Sequence, residues 1–180
     1  MAKLQNKYET NIMNMDLLLT ALSILALLLI SGFFSGSETA LTAASRARMH
    51  RLEKDGDKRA SQVNRLTNAM ERLIGTILLG NNLVNILASA LTTSLFMNLF
   101  GAAGVVYATI IMTAMVVIFS EVLPKTYAIQ NPDRVALAVA RFFIPLVVLF
   151  GPVSAMVEKI IKTILDRFLP ANEEITDAHE

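Results

Sequence analysis

Four apolar runs, separated by polar or charged segments, organise the 180-residue chain. They cover Leu17–Phe34, Leu73–Phe100, Gly101–Leu123 and Val135–Val157. Each approaches or exceeds the roughly 20 residues a helix needs to cross about 30 Å of hydrocarbon. The fourth is interrupted by Pro145 and by Gly151-Pro152, both strong helix breakers. The pattern predicts an all-α membrane protein: three transmembrane helices, juxtamembrane amphipathic helices and a re-entrant or interfacial helical hairpin over 135–157. A fourth crossing is the alternative for that last stretch. The first run is no simple signal peptide, because 16 mixed residues precede it and further spans follow.

Positive charge sets an expected orientation. Between the first and second runs lie Arg46, Arg48, Arg51, Lys54, Lys58, Arg59, Arg65 and Arg72. That segment belongs in the cytoplasm. The link from Asn98 to Gly104 carries no charge and suits the outer face. Lys125, Arg134 and Arg141 return the chain to the cytoplasm. The chain is thus expected to be multi-pass in an inner or plasma membrane, N-terminus outside and C-terminus inside.

Between Ser45 and Glu71, Leu52, Val63, Leu66 and Met70 recur at roughly helical spacing among basic residues. Asp55-Gly56-Asp57 reads as a turn between two helical pieces. An amphipathic helix on anionic lipid and a solvated loop are both open readings.

Charged residues make up 17% of the chain, below the roughly 25% of a soluble domain. The net charge of +1 gives no global basic surface for nucleic acid. Without cysteine there is no disulfide, thiolate metal site or thiol catalysis. His50 and His179 both fall outside the apolar runs, and no paired acids or Ser-His arrangement lies within them. An enzyme is not expected.

Glu121 stands out because it sits within an apolar run of membrane-spanning length. A carboxylate there costs about 2.5–3.5 kcal/mol on insertion scales. No Lys or Arg falls within the first three runs to neutralise it. Other polar residues gather nearby in sequence pattern: Ser31 and Ser35 through Thr39, then Gly80-Asn81-Asn82 and Asn85, then Ser120 beside Glu121. Asn82 and Asn85 are three apart and share a helix face. Pro124 has no N–H, so α-helical spacing would free the carbonyl of Ser120. Hydroxyl, amide, carboxylate and carbonyl oxygens suit a hard cation such as Mg²⁺, Ca²⁺ or Na⁺. The candidate ligands are Ser35, Asn82, Asn85, Ser120 and Glu121. Taken singly, Ser and Asn in a span also serve as helix–helix glue.

Phe33-Phe-Ser-Gly-Ser-Glu-Thr-Ala-Leu41, Gly80-Asn-Asn-Leu-Val-Asn85 and Ser120-Glu-Val-Leu-Pro-Lys125 resemble the signature segments of the CNNM/CorC magnesium transporters. The resemblance covers roughly residues 15–165. It implies a transmembrane domain over 16–165, preceded by an extracytoplasmic segment at 1–15. It also implies a cytoplasmic linker at 166–180, toward paired CBS modules that this sequence does not include. It implies Mg²⁺ export, with Na⁺ as coupling ion, by a homodimer in the lipid bilayer. The ligands it implies are Ser35, Asn85 with Asn82 adjacent, Glu121 and the Ser120 carbonyl, with Ser37 less secure. Small residues at Gly75, Gly80, Ala88, Ala90, Gly101, Gly104, Ala108 and Ala114 fit close helix approach in such a dimer. A non-transporting scaffold or Mg²⁺ sensor subunit is the competing function.

Overall fold

The computed structural model describes residues 2–168, and every regular element in that range is helical. Helix α1 spans Ala2–Ala43, α2 Arg46–Lys54, α3 Lys58–Thr67 and α4 Met70–Phe100. A 3₁₀ turn at Gly101–Ala103 leads into α5, Gly104–Met115. A π-helical segment at Val116–Val122 joins α5 to α6, Leu123–Gln130, and α7 runs Pro132–Phe168. The expected linker at 166–180 lies mostly outside the described residues.

Three helical stretches are long and apolar enough to cross a membrane: Asn14–Ala43, Met70–Gln130 and Pro132–Val153. The second is folded in two. Thr92 reaches Met112 Sδ at 3.5 Å, and Gly104 sits on the backbone of Phe96 and Met97, so α4 and α5 are antiparallel. Gly101 takes φ +63° at the bend, where a Cβ would be strained. At Gly104 the constraint is room: a Cβ would fall 2.2 Å from the Phe96 carbonyl oxygen.

Helix α1 continues nine residues past the expected end at Phe34. Gly32 and Gly36 lie inside it and make space for another element. A Cβ on Gly32 would lie 3.1 Å from Pro124, and one on Gly36 3.2 Å from it. The small residues Gly80, Ala88, Gly104 and Ala108 are likewise buried inside the single chain.

The segment expected to be either loop or surface helix forms two short helices. Gly56 makes the turn between them at φ +92°. Ser45 caps α2 by accepting from the Arg48 N–H, and Asp57 caps α3 by accepting from the Arg59 N–H at 2.9 Å. Their apolar face is spent inside the protein. Met49, Ala60, Val63 and Leu66 join one core with Ala136, Val139, Ala140 and Phe143 of α7. Leu52 and Met70 pack against it.

The hairpin expected over 135–157 does not form. Helix α7 passes through Pro145 and Pro152 without interruption. Each proline removes one backbone donor, which bends a helix more readily than it ends one when the flanking sequence is strongly helical. Its contacts cluster at one end of the molecule. Asp133 accepts from the Ser45 N–H at 2.9 Å and pairs with Arg48 at 3.1 Å. Phe143 packs on Phe33 and Phe34, with centroids 5.6 and 5.7 Å away. Further along, Ile144, Val147 and Gly151 face Arg65, Ala69 and Arg72. Helix α7 therefore lies across the end shared by α1, α3 and the start of α4.

The two open ends of this packing can be compared directly. Gly104→Ala is expected to lower the midpoint of thermal unfolding in detergent by roughly 5 °C or more, as overpacking costs about 1–3 kcal/mol or above. Gly151→Ala, with nothing within 4 Å of the new methyl, is expected to leave it unchanged or raise it. Equal midpoints for the two variants would contradict the tight α4–α5 bend.

Candidate cation site

Three segments meet around the middle of α1: its residues 28–37, the part of α4 from Thr76 to Ala88, and the π-helical segment with the start of α6. Their contact is close because glycines and a proline face one another. The Ser120 side chain is fully buried, and its Oγ donates to the Leu28 carbonyl at 3.0 Å. Across the α1–α4 contact, Ser31 Oγ donates to Asn81 Oδ1 at 2.8 Å. Gly80 lies under the Phe34 ring, 2.7 Å from where a Cβ would stand.

The π spacing changes the backbone chemistry. The Leu123 N–H bonds the Ile118 carbonyl, five residues back. Pro124 cannot continue that series, because it has no N–H. The carbonyl left without its donor in this register is that of Phe119, where α-helical spacing would have selected Ser120. Gly32 lies against it; a Cβ there would be 3.2 Å from the Phe119 oxygen. Single π-helical turns inside α-helices are frequent at functional sites.

Among the described residues, four buried side-chain oxygens have no hydrogen-bond partner: Ser35 Oγ, Ser37 Oγ, Thr76 Oγ1 and Asn85 Oδ1. Buried polar groups are nearly always bonded, so each of these calls for an explanation. An unmade bond costs about 1–3 kcal/mol. Ser35 and Asn85 were both candidate ligands from sequence. Glu121 is half-buried, and none of the ion pairs among the described residues involves it. Asn82 is exposed. The structure thus gathers Ser35, Asn85, Ser120 and Glu121 on the meeting segments and turns Asn82 outward.

Sequence reasoning passed over Ser31, Asn81 and Thr76 as individual sites. A signal existed for two of them. Ser31 and Ser35 are four apart, as are Asn81 and Asn85, the spacing that aligns side chains on one helical face. Among the described residues, no three His, Cys, Asp or Glu side chains cluster as a conventional metal centre. The available chemistry is one carboxylate amid neutral oxygens, in a low-dielectric setting where each counts for more than it would in water.

The arrangement has known relatives. Residues 22–180 match the family model described as the cyclin M transmembrane N-terminal domain. The chain belongs to this family. Cyclin M relatives include the UPF0053 inner membrane protein YfjD of Escherichia coli (strain K12), 43% identical over 136 residues, covering 76% of this chain and 32% of that protein. The metal transporter cnnm-4 of Caenorhabditis elegans is 29% identical over 143 residues, covering 77% of this chain and 30% of that one. The polyamine export protein of Haemophilus influenzae is 30% identical over 140 residues, covering 71% and 32%. The chain spans about a third of the length of these cyclin M relatives.

The Ser31–Asn81 hydrogen bond offers a direct check on this packing. Ser31→Ala leaves the Asn81 oxygen without its donor and is expected to destabilise the folded protein by about 1–3 kcal/mol. Denaturant or thermal unfolding in detergent measures this. A wild-type midpoint would mean that α1 and α4 do not meet at this register.

Proposed function

We propose that this chain is the membrane core of a Mg²⁺ transporter that exports the ion with Na⁺ coupling and works as a homodimer. The observation that carries the proposal is the pair of buried, unpartnered oxygens on Ser35 and Asn85, on segments that meet the π turn bearing Glu121. A dehydrated cation would supply what these oxygens lack, and the carboxylate would balance its charge. Ser35, Asn85, Glu121 and a carbonyl of the Phe119–Ser120 turn form the ligand set in this reading, with Asn81 beside it. Mg²⁺ needs near-octahedral oxygen coordination at about 2.0–2.1 Å, so losing one ligand should be felt strongly. The name of the Caenorhabditis relative, a metal transporter, supports this reading.

The Haemophilus relative's name raises a polyamine as the second reading. An extended polycation is best met by several spaced carboxylates. The acidic side chains on or next to the three segments that form this site are Glu121 and Glu38, too few to space along an extended chain. That favours a compact ion.

Glu121→Ala is expected to abolish Mg²⁺ binding by calorimetry and Mg²⁺ flux in proteoliposomes. Asn85→Ala and Ser35→Ala are expected to weaken both by about tenfold or more, since tenfold is only 1.4 kcal/mol. Full flux through a well-folded Glu121→Ala protein would reduce the carboxylate to a packing group. Binding without flux would favour a sensor or scaffold, and spermidine flux in place of Mg²⁺ would favour the second reading.

In the proposed orientation, the basic α2–α3 hairpin faces the cytoplasm and the α4–α5 bend faces out. A cysteine replacing Lys58 is expected to react with an impermeant reagent from the inside, and one replacing Ala102 from the outside. The reverse pattern would invert the topology.

A further inference from the structure

Two arginines line a groove of about 510 Å³ between α7 and the α3–α4 junction. Arg65 comes from α3 and Arg72 from the first turn of α4, while Ile144, Val147, Gly151 and Pro152 belong to α7. The remaining lining is apolar. Gly151 keeps the groove open, since nothing lies within 4 Å of the place a Cβ would take.

The charge here is not balanced from within the chain. Arg48 is paired with Asp133 and Arg59 with Asp57. Arg65 and Arg72 are exposed, and neither joins an ion pair among the described residues. Two like charges on one groove create a positive field that an anion relieves.

A polar cleft of about 580 Å³ adjoins the groove and shares Ala69 and Arg72 with it. Arg46, Thr67 and Asn68 also line that cleft, and Glu71 is its one acid among the described residues. Arg72 therefore stands where an apolar compartment meets a polar one. Its depth follows from the sequence. No charged residue occurs between Arg72 and Glu121, so Arg72 marks the level at which α4 enters hydrocarbon. Helix α7 lies across this same end of the bundle, so the groove opens where headgroups meet acyl chains.

An apolar trough that ends at two guanidinium groups beside a polar cleft fits an amphiphile with a phosphate at its waist. Guanidinium matches phosphate geometry, and basic pockets between helices at the cytoplasmic face suit anionic headgroups. A free phosphate would leave the apolar wall unused. A symmetric dimer centred on the groove would set these arginines against their own copies.

We infer that this groove is a binding site for an anionic phospholipid, with an acyl chain along Ile144, Val147 and Gly151 and the phosphate at Arg65 and Arg72. In the orientation proposed above it lies in the cytoplasmic leaflet. The lipid fills the space that α7 leaves against α3 and α4, and so helps to seat α7. Nothing in the site depends on which ion the protein carries.

Full-chain protein in neutral detergent would be titrated with phosphatidylglycerol, with phosphatidylcholine of the same acyl chains, and with inorganic phosphate. The midpoint of thermal unfolding reports binding. Phosphatidylglycerol is expected to raise it by about 5 °C or more at saturation. Phosphatidylcholine should need at least tenfold more lipid, and inorganic phosphate should leave the midpoint in place. Arg65→Gln and Arg72→Gln are each expected to raise the phosphatidylglycerol concentration required at least tenfold. Gly151→Leu keeps both charges and fills the groove, and is expected to do the same. Arg51→Gln removes an exposed charge of α2 that lines neither cavity, and is expected to respond as the wild type does.

Equal responses to the two lipids, a response to inorganic phosphate as large as to lipid, or an equal loss in Arg51→Gln would overturn the site. So would undiminished binding in the arginine variants or in Gly151→Leu; either kind decides if the other folds poorly. Val148, beside Val147 in the groove, is 70% exposed. Efficient oxidation of Val148→Cys to a cross-linked dimer in native membranes would also overturn the site, because a second copy would then cover the groove.

Discussion

The contact of Pro124 with Gly32 and Gly36 of α1 is the constraint on which the rest of the architecture turns. The proline ring and its backbone stand where Cβ atoms would otherwise be, at 3.1 and 3.2 Å. Only with both glycines can the π turn come close enough for Ser120 to reach the Leu28 carbonyl. The same proline withholds the N–H that would have closed the next five-residue bond. One residue therefore sets both the proximity of the segments and the polarity of the backbone facing α1.

A second packing layer holds the same stretch of α1 from another face. Phe33 and Phe34 stack on Phe142 and Phe143 of α7, while Asp133 ties the start of α7 to the start of α2. Truncating a fully buried aromatic such as Phe143 typically costs about 3–5 kcal/mol. The aromatic layer fixes the depth and rotation of α1, and the glycine face then meets Pro124 in a single register. Position and chemistry come from different faces of the same helical turn.

Much of this was legible in the residues, and the parts that were not have identifiable causes. Hydropathy located the apolar helices because the lipid-facing side of each is long and uniform. Asp55-Gly56-Asp57 announced its turn because a positive φ needs glycine. The extension of α1 to Ala43 was hidden, since the apolar run ends at Phe34 and the residues that follow are small and polar. The unbroken α7 was hidden because Pro145 and Pro152 read as breaks in sequence and are carried inside the helix. Within the candidate site, Ser35, Asn85, Ser120 and Glu121 were named from their chemistry together with the family resemblance, and the structure puts them on segments that meet. The choice between Asn81 and Asn82 was not available, because adjacent helical residues differ by about 100° and only the position of α1 decides which faces inward. The π turn has no sequence signal in Val116–Val122; it follows from how α5 and α6 must both meet their neighbours.

The Ser120–Leu28 hydrogen bond also has a meaning in chain connectivity. It closes a loop of 92 residues, whereas Thr92–Met112 closes one of 20. Chain entropy disfavours the longer closure by about 1.4 kcal/mol relative to the shorter one, from the logarithmic dependence on loop length. The α4–α5 hairpin is accordingly the cheaper part to assemble, and α1 closes on it afterwards. On that ordering the asparagines of α4 and the π turn before Pro124 come together first, as an open half-cleft, and α1 completes the enclosure as the last wall.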